Sequence, residues 1–530
     1  MKLKMSEGRN GFYARICIFS VSIFYLICHL FILMNPSYSH DSLLIVACSD
    51  NAHQISLGRF LQPLYRAIRG NVTAPWLISA LSIVFLSLTL YLIVIILDFK
   101  SVLAIILSAG ILTTNTTVIF SNATYLPWVD IYALALLMAT LAAFFSIRFR
   151  YGFILGGVCL FCSLGLYQSF ITVTIGIIML LTIKLVLEKA RFEVVRDTIL
   201  AGIFSIFLGL IFYLIGTHIS NLIVPASDAY NSLNNVGDGL LDRGLIDIIK
   251  LLLNTYFMFA VEIIWLIKDR IVITILALLF IGAITIGLVY KWVKEEKIFV
   301  SWIIFAIIVV LLLPFGLNAN YFISGNSVYH SLMNYGCFLI YLLPIMIYDL
   351  CGSNVQESEW GACNKNIRNK FYKTMVMLLP VFVCVIIYNN IVFANGVYTE
   401  KYLQASMTFS TMTRVVDRIE EVDGFTPGET PIAIIGELND SMLMSQTSEF
   451  DTYSGIGTAP NRFSVTHRDT YTQYLSYILG YPLAEITETE EQTLKGNIQV
   501  VNMPTFPHTG SCAIIDGYMV IKLSEYDQSN

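Results

Sequence analysis

Charge is scarce in this sequence. Of 530 residues, 32 are Lys or Arg and 37 are Asp or Glu, so 13% are charged while 56% are hydrophobic. A soluble globular chain carries about a quarter charged residues. The shortfall excludes a water-facing globule, and no nucleic-acid partner is indicated. The net charge of −5 says little, because the charges of such a chain are divided between two membrane faces. Walker, Rossmann and nucleophile-elbow signatures are missing, so no nucleotide site is expected. The seven histidines show no metal-ligand spacing, and neither a metal nor a cofactor is indicated. Most of the ten cysteines fall inside apolar runs, where Cys acts as a small hydrophobe. The CLFC at 159–162 has CxxC spacing, but it sits mid-run without a partner pair, so it reads as core packing and no zinc site or disulfide framework is indicated. No small-residue cleavage site follows the basic N-terminal flank, so the first apolar run reads as a retained helix.

Long apolar runs are what the sequence does have. Eleven are expected to span a bilayer, at about 15–34, 76–97, 102–120, 125–147, 152–168, 170–187, 198–219, 271–290, 299–317, 331–348 and 374–394. The expected class is a polytopic α-helical membrane protein. A further segment, 246–267, is interrupted by Lys250, Asn254 and Glu262. If it does not cross, the basic connectors at 148–150, 184–196, 291–297 and 364–373 all fall on the cytoplasmic side with the N-terminus. It therefore reads as an interfacial or re-entrant helix lying against the bundle. The 36-residue run 152–187 is too long for one crossing, and GLYQSF (165–170) predicts a turn that places Tyr167 and Gln168 at the outer surface.

From about 395 the composition changes. A helical pattern at 411–424 ends on Gly424, and three strands are expected at 430–437, 496–504 and 517–525. The division is thus a membrane domain, 1–394, and a small extracytoplasmic α/β domain, 395–530.

The first external loop, 35–75, contains SDNAHQISLGRFLQPLYRAIRG (49–70) with Arg59, Arg66 and Arg69. It reads either as a solvated connector or as an amphipathic surface helix. In the second reading Ile55, Phe60, Leu61, Leu64 and Ile68 lie on one side, with Arg59 and Arg66 at headgroup level. Guanidinium suits a phosphate, so a lipid-phosphate ligand fits. Asp50 is a candidate general base or, equally, a helix cap. Asp41 is a second candidate acid. Asp130, near the outer end of the fourth span, is either functional or paired with an arginine. The loop 318–330 offers Tyr321, Asn326 and His330 as sugar-facing groups, against a solvated role for a lone His.

Taken together, SDNAHQISLGRFLQPLYRAIRG with the following APWL, GLYQSF, TMTRVVDRIEEVDGFTPGETPIAIIGE and the closing MPTFPHTGSCAIIDGYMVIKLSE resemble the bacterial serotype-converting, O-antigen-modifying glucosyltransferase family. The resemblance spans almost the whole chain. It implies a GT-C-like enzyme in the bacterial cytoplasmic membrane. Such an enzyme moves glucose from undecaprenyl-phosphate glucose to a surface polysaccharide such as an O-antigen repeat, beside a donor flippase and synthase. It also implies Asp50 as base and Arg59 as donor-phosphate contact, with Arg66 assisting. Gln168 matches a family motif without an assigned role. The first loop shows one Asp at 50, where many GT-C enzymes show an adjacent acidic pair. The alternatives are a transferase of another lipid-linked sugar, a polysaccharide polymerase, or a lipid-linked sugar transporter. A transporter should show inverted half-repeats, and none is visible.

Overall fold

The computed structural model of the chain describes residues 7–37, 43, 51–225, 243–264, 270–324, 330–358, 367–438, 465, 468–484 and 486–526. Asp41, Asp50 and Asn326 lie outside the described residues.

Nine described helices are long and apolar enough to cross a membrane. The pair Val102–Thr114 and Thr116–Thr124, bent by 41°, makes a tenth, and the shorter apolar helix Gly152–Leu166 completes the eleven expected positions. Helix Leu245–Ile264 is not among the nine. It carries Asp247 and Lys250 exposed and buries Thr255 and Glu262. The last residues of the expected 246–267 segment, 265–267, lie outside the described residues.

Bilayer-spanning helices pack through small side chains and close backbone approach. Gly156 illustrates this: an added Cβ would sit 2.4 Å from Ser205 Oγ and 2.5 Å from Ser146 Oγ, so only Gly lets helices Leu126–Arg148, Gly152–Leu166 and Phe192–Asn221 meet there. Helix Ile171–Leu187 is buried along almost its whole length by Val129–Arg148, Phe192–Asn221 and Val300–Leu317. The bend after Thr114 is supported by Asn115. Its Nδ2 donates to the carbonyls of Ile111 and Leu112, and its Oδ1 accepts from Val118 N. The side chain thus takes up backbone groups that the break leaves over.

The chain divides into two compact units. One comprises Met1–Leu30, Asp50–Ser121 and Trp128–Ala394, and the other Phe31–Ser49, Asn122–Pro127 and Asn395–Asn530. The second unit carries a three-stranded sheet in the order β1 (Ile432–Ile435), β3 (Tyr518–Lys522), β2 (Cys512–Ile515). β1 runs parallel to β3, and β2 antiparallel. β1 is buried on both faces. Ile432 and Ile434 pack with Met412, Val415 and Ile419, spaced along one side of helix Ile367–Glu420. Ala433 and Ile435 pack with Leu494, Val500 and Met503. Such two-sided burial is what a short, unbroken aliphatic run provides.

One expected strand is a helix instead. Within 496–504, Ile498–Asn502 is helical, because Asn497 caps it by accepting from Gln499 N. The second strand lies further on, at Cys512–Ile515, where Asp516 (φ 53°) and Gly517 (φ 86°) close a tight hairpin with Tyr518.

Candidate functional site in the first loop

The first loop does not form one amphipathic helix. It forms two short ones, Asn51–Ser56 and Gln62–Arg69, separated at Gly58, whose φ of +76° favours glycine. Pro63 opens the second. The break reorients the polar face. Gln62 and Arg66 are buried, whereas Leu64 and Ile68 are exposed, continuing into exposed Val72 and Trp76. Arg66 faces inward and donates to Asn51 Oδ1.

The inward face docks on the broken end of helix Gly152–Leu166. That helix stops at Tyr167, whose extended backbone (φ −161°) forms the turn that GLYQSF predicts. Tyr167 itself is buried. Two glutamines lock the junction reciprocally. Gln62 Nε2 donates to Leu166 O at 2.7 Å, and Gln168 Nε2 donates to Leu57 O at 2.7 Å and to Tyr213 Oη at 2.9 Å. Leu61 N adds a bond to Gly165 O at 3.0 Å. Phe60 stacks against Tyr213 with centroids 6.0 Å apart.

Arg59 sits at this junction with its guanidinium 4.9 Å from the Tyr167 ring centroid. Its one hydrogen bond among the described residues is a long one, from Nη1 to Gln54 Oε1 at 3.4 Å, and its buried Nε has no hydrogen-bond partner. A guanidinium held over an aromatic face with donors to spare is suited to a planar, bidentate anion. Behind Tyr167 the rings of Tyr132 (4.8 Å) and Phe170 (5.7 Å) follow, and Phe170 meets Tyr335 (5.8 Å).

Asp130 is fully buried, and its oxygens are engaged: Arg69 Nη1 donates to Oδ1 at 2.6 Å and Tyr65 Oη to Oδ2 at 2.9 Å. The arginine pairing is the one present. Burial, and then the Asp130 charge, push the Tyr65 phenol far above its usual pKa against the pull of Arg69, so Tyr65 stays a donor. His330 caps the short helix Ser331–Met333 by accepting from Leu332 N. That segment is tied to the turn by Asn320, whose Nδ2 donates to both Ser169 O and Met333 O at 2.8 Å. Arg59, Arg66, Tyr167, Gln168 and Asp130 are thus brought into one region. Gln62, Tyr65 and Arg69 belong to it although the sequence alone did not single them out as site residues. Their signal was the helical spacing 62, 65, 66, 69, which marks one face without saying that the face is buried. Among the described residues, no three His, Cys, Asp or Glu side chains cluster as metal ligands.

These features define a multi-pass membrane protein with an arginine-bearing loop fastened to its helical bundle. The family model of Glucosyl transferase GtrII matches residues 30–343, more than half of the chain, and the chain belongs to that family. It is therefore a membrane glucosyltransferase of the kind that modifies O-antigen, working with a sugar donor and a polysaccharide acceptor. No curated protein and no solved structure matches it.

Proposed function

We propose that the protein transfers glucose from undecaprenyl-phosphate glucose to a surface polysaccharide by a single inverting displacement on the outer face of the bacterial cytoplasmic membrane. The acceptor hydroxyl attacks the anomeric carbon and loses its proton to Asp50. The bond from that carbon to the phosphate oxygen breaks, and its electron pair leaves with the lipid phosphate. Charge grows on the phosphate as the bond breaks, and Arg59 meets it there. Arg66 holds Asn51, the residue next to Asp50 in sequence. Asp130 and Arg69 fix the helix that carries Arg66. The N-terminus is cytoplasmic, and residues 395–530 lie outside with the polysaccharide.

The observation that supports this reading best is Arg59, stacked on Tyr167 with its Nε unpartnered. The test is glucose transfer from undecaprenyl-phosphate glucose to host polysaccharide in membranes containing wild type, Asp50→Asn or Arg59→Ala at matched expression. Transfer by wild type and none by Asp50→Asn is expected. Full activity in Asp50→Asn removes Asp50 as base, and inactive wild type with good donor and acceptor points to another sugar.

A further inference from the structure

A second polar centre lies in the membrane unit away from the first loop. Helix Leu245–Ile264 ends its last turn with Glu262, which lines a small cavity together with Thr116, Thr274, Asn389, Asn390 and Tyr341. These residues come from five separate helical segments, Asn389 and Asn390 sharing one. Thr116 is the first residue after the bend at Asn115, Thr274 is in the opening turn of Ile271–Glu296, and Asn389 and Asn390 are midway along Ile367–Glu420. All of them are buried, Glu262 to 6% exposure.

The unsatisfied groups point to an occupant. Glu262 Oε2 has no hydrogen-bond partner, and neither does Thr116 Oγ1, while the Asn334 side chain lies against the Glu262 carboxylate. Among the described residues no cationic side chain pairs with Glu262. Arg270 donates to Asn389 Oδ1 at 3.4 Å. A buried, unpaired carboxylate is costly in any protein and is a functional signal in a membrane protein. The lining offers carboxylate, hydroxyl and amide oxygens, the set chosen by hard cations; Asn389 Oδ1 and Thr274 Oγ1 already accept long hydrogen bonds, whereas Glu262 Oε2 and Thr116 Oγ1 have none. The cavity measures about 10 Å³, room for one water-sized particle, which excludes a sugar or a hydrated ion. Among the described residues, Glu262 is the one acidic side chain that lines it. A monovalent ion leaves the buried site neutral, whereas a divalent ion leaves it charged.

We propose that this cavity binds one dehydrated alkali cation, held chiefly by Glu262 Oε2 and Thr116 Oγ1. The proposal is independent of the transfer mechanism. Its test uses the full-length protein in nanodiscs at pH 8, with thermal unfolding followed by tryptophan fluorescence. NaCl, KCl or MgCl2 is titrated while choline chloride keeps ionic strength constant. Wild type should show a saturable rise of about 2–4 °C with one alkali ion at large excess over its Kd. Glu262→Gln, which keeps the shape and removes the charge, should show none. Thr116→Val should need at least about tenfold more salt for half the effect, the loss of one of several oxygen ligands. An equal response to choline and to every alkali ion overturns the proposal, and so does a response to Mg²⁺ alone. A wild-type response retained in Glu262→Gln overturns it as well. The wild-type titration decides even where a variant does not fold, and its outcome is read without any transfer assay.

Discussion

Arg69 Nη1 and Asp130 Oδ1 lie 2.6 Å apart with both side chains almost completely out of solvent. Their ion pair joins the first-loop helix Gln62–Arg69 to the start of a spanning helix, and Tyr65 closes the other side of the carboxylate. Removing one partner leaves a buried charge alone, which costs about 3–5 kcal/mol. Asp130→Ala and Arg69→Ala should each lower the unfolding midpoint strongly. The double variant should cost less than the sum of the two, by about 1–3 kcal/mol. Thermal unfolding of the four proteins in one detergent checks the cycle.

Gln168 is the hinge pin of the same junction. Gln168→Leu leaves Leu57 O and the Tyr213 hydroxyl without their donor, a cost of about 1–3 kcal/mol. The effect should be local: amide exchange across 51–70 accelerates while exchange in Ile171–Leu187 stays slow.

Arg59 tests the phosphate reading. Arg59→Ala should lower kcat/KM about 10²–10³-fold. Arg59→Lys should restore only part of it, since an ammonium keeps the charge but neither stacks on Tyr167 like a planar guanidinium nor binds phosphate bidentately. Steady-state transfer kinetics with varied donor distinguishes the three proteins.

The second unit carries its own acid sensitivity. Glu490 accepts from Thr487 Oγ1 and N and from the Tyr518 hydroxyl, which hold its carboxyl down at about 2. Its folded pKa lies below the unfolded one. The stabilisation is therefore present at neutral pH and is lost as pH falls from about 4.5 towards 2. Glu490→Gln should flatten the decline in unfolding midpoint across that window, measured by circular dichroism.

The spans were legible because runs of twenty apolar residues have few other uses. The break at Tyr167 was legible too, since 36 such residues exceed one crossing. The second unit was read less well. Residues 496–504 are β-branched enough to suggest a strand, but the Asn497 cap outweighs that propensity. The Asp516–Gly517 turn signal was in the sequence and marks the true hairpin. The inward face of Gln62–Arg69 was not legible. Helical spacing separates Leu64 and Ile68 from Arg66 and Arg69, yet a lipid-facing protein surface inverts the usual rule of apolar inside, and only the tertiary partners Asn51 and Asp130 decide the direction.

The exposed run of Leu64, Ile68, Val72 and Trp76 carries a practical consequence. An exposed apolar edge on a membrane protein is expected to be covered by lipid, so the seating of the loop and its arginines should depend on a lipid-like cover as well as on the protein contacts. Short-chain detergents that keep the bundle folded should still silence the enzyme, and returning it to bilayers should restore it. For this protein, solubility after extraction is not a measure of an intact site.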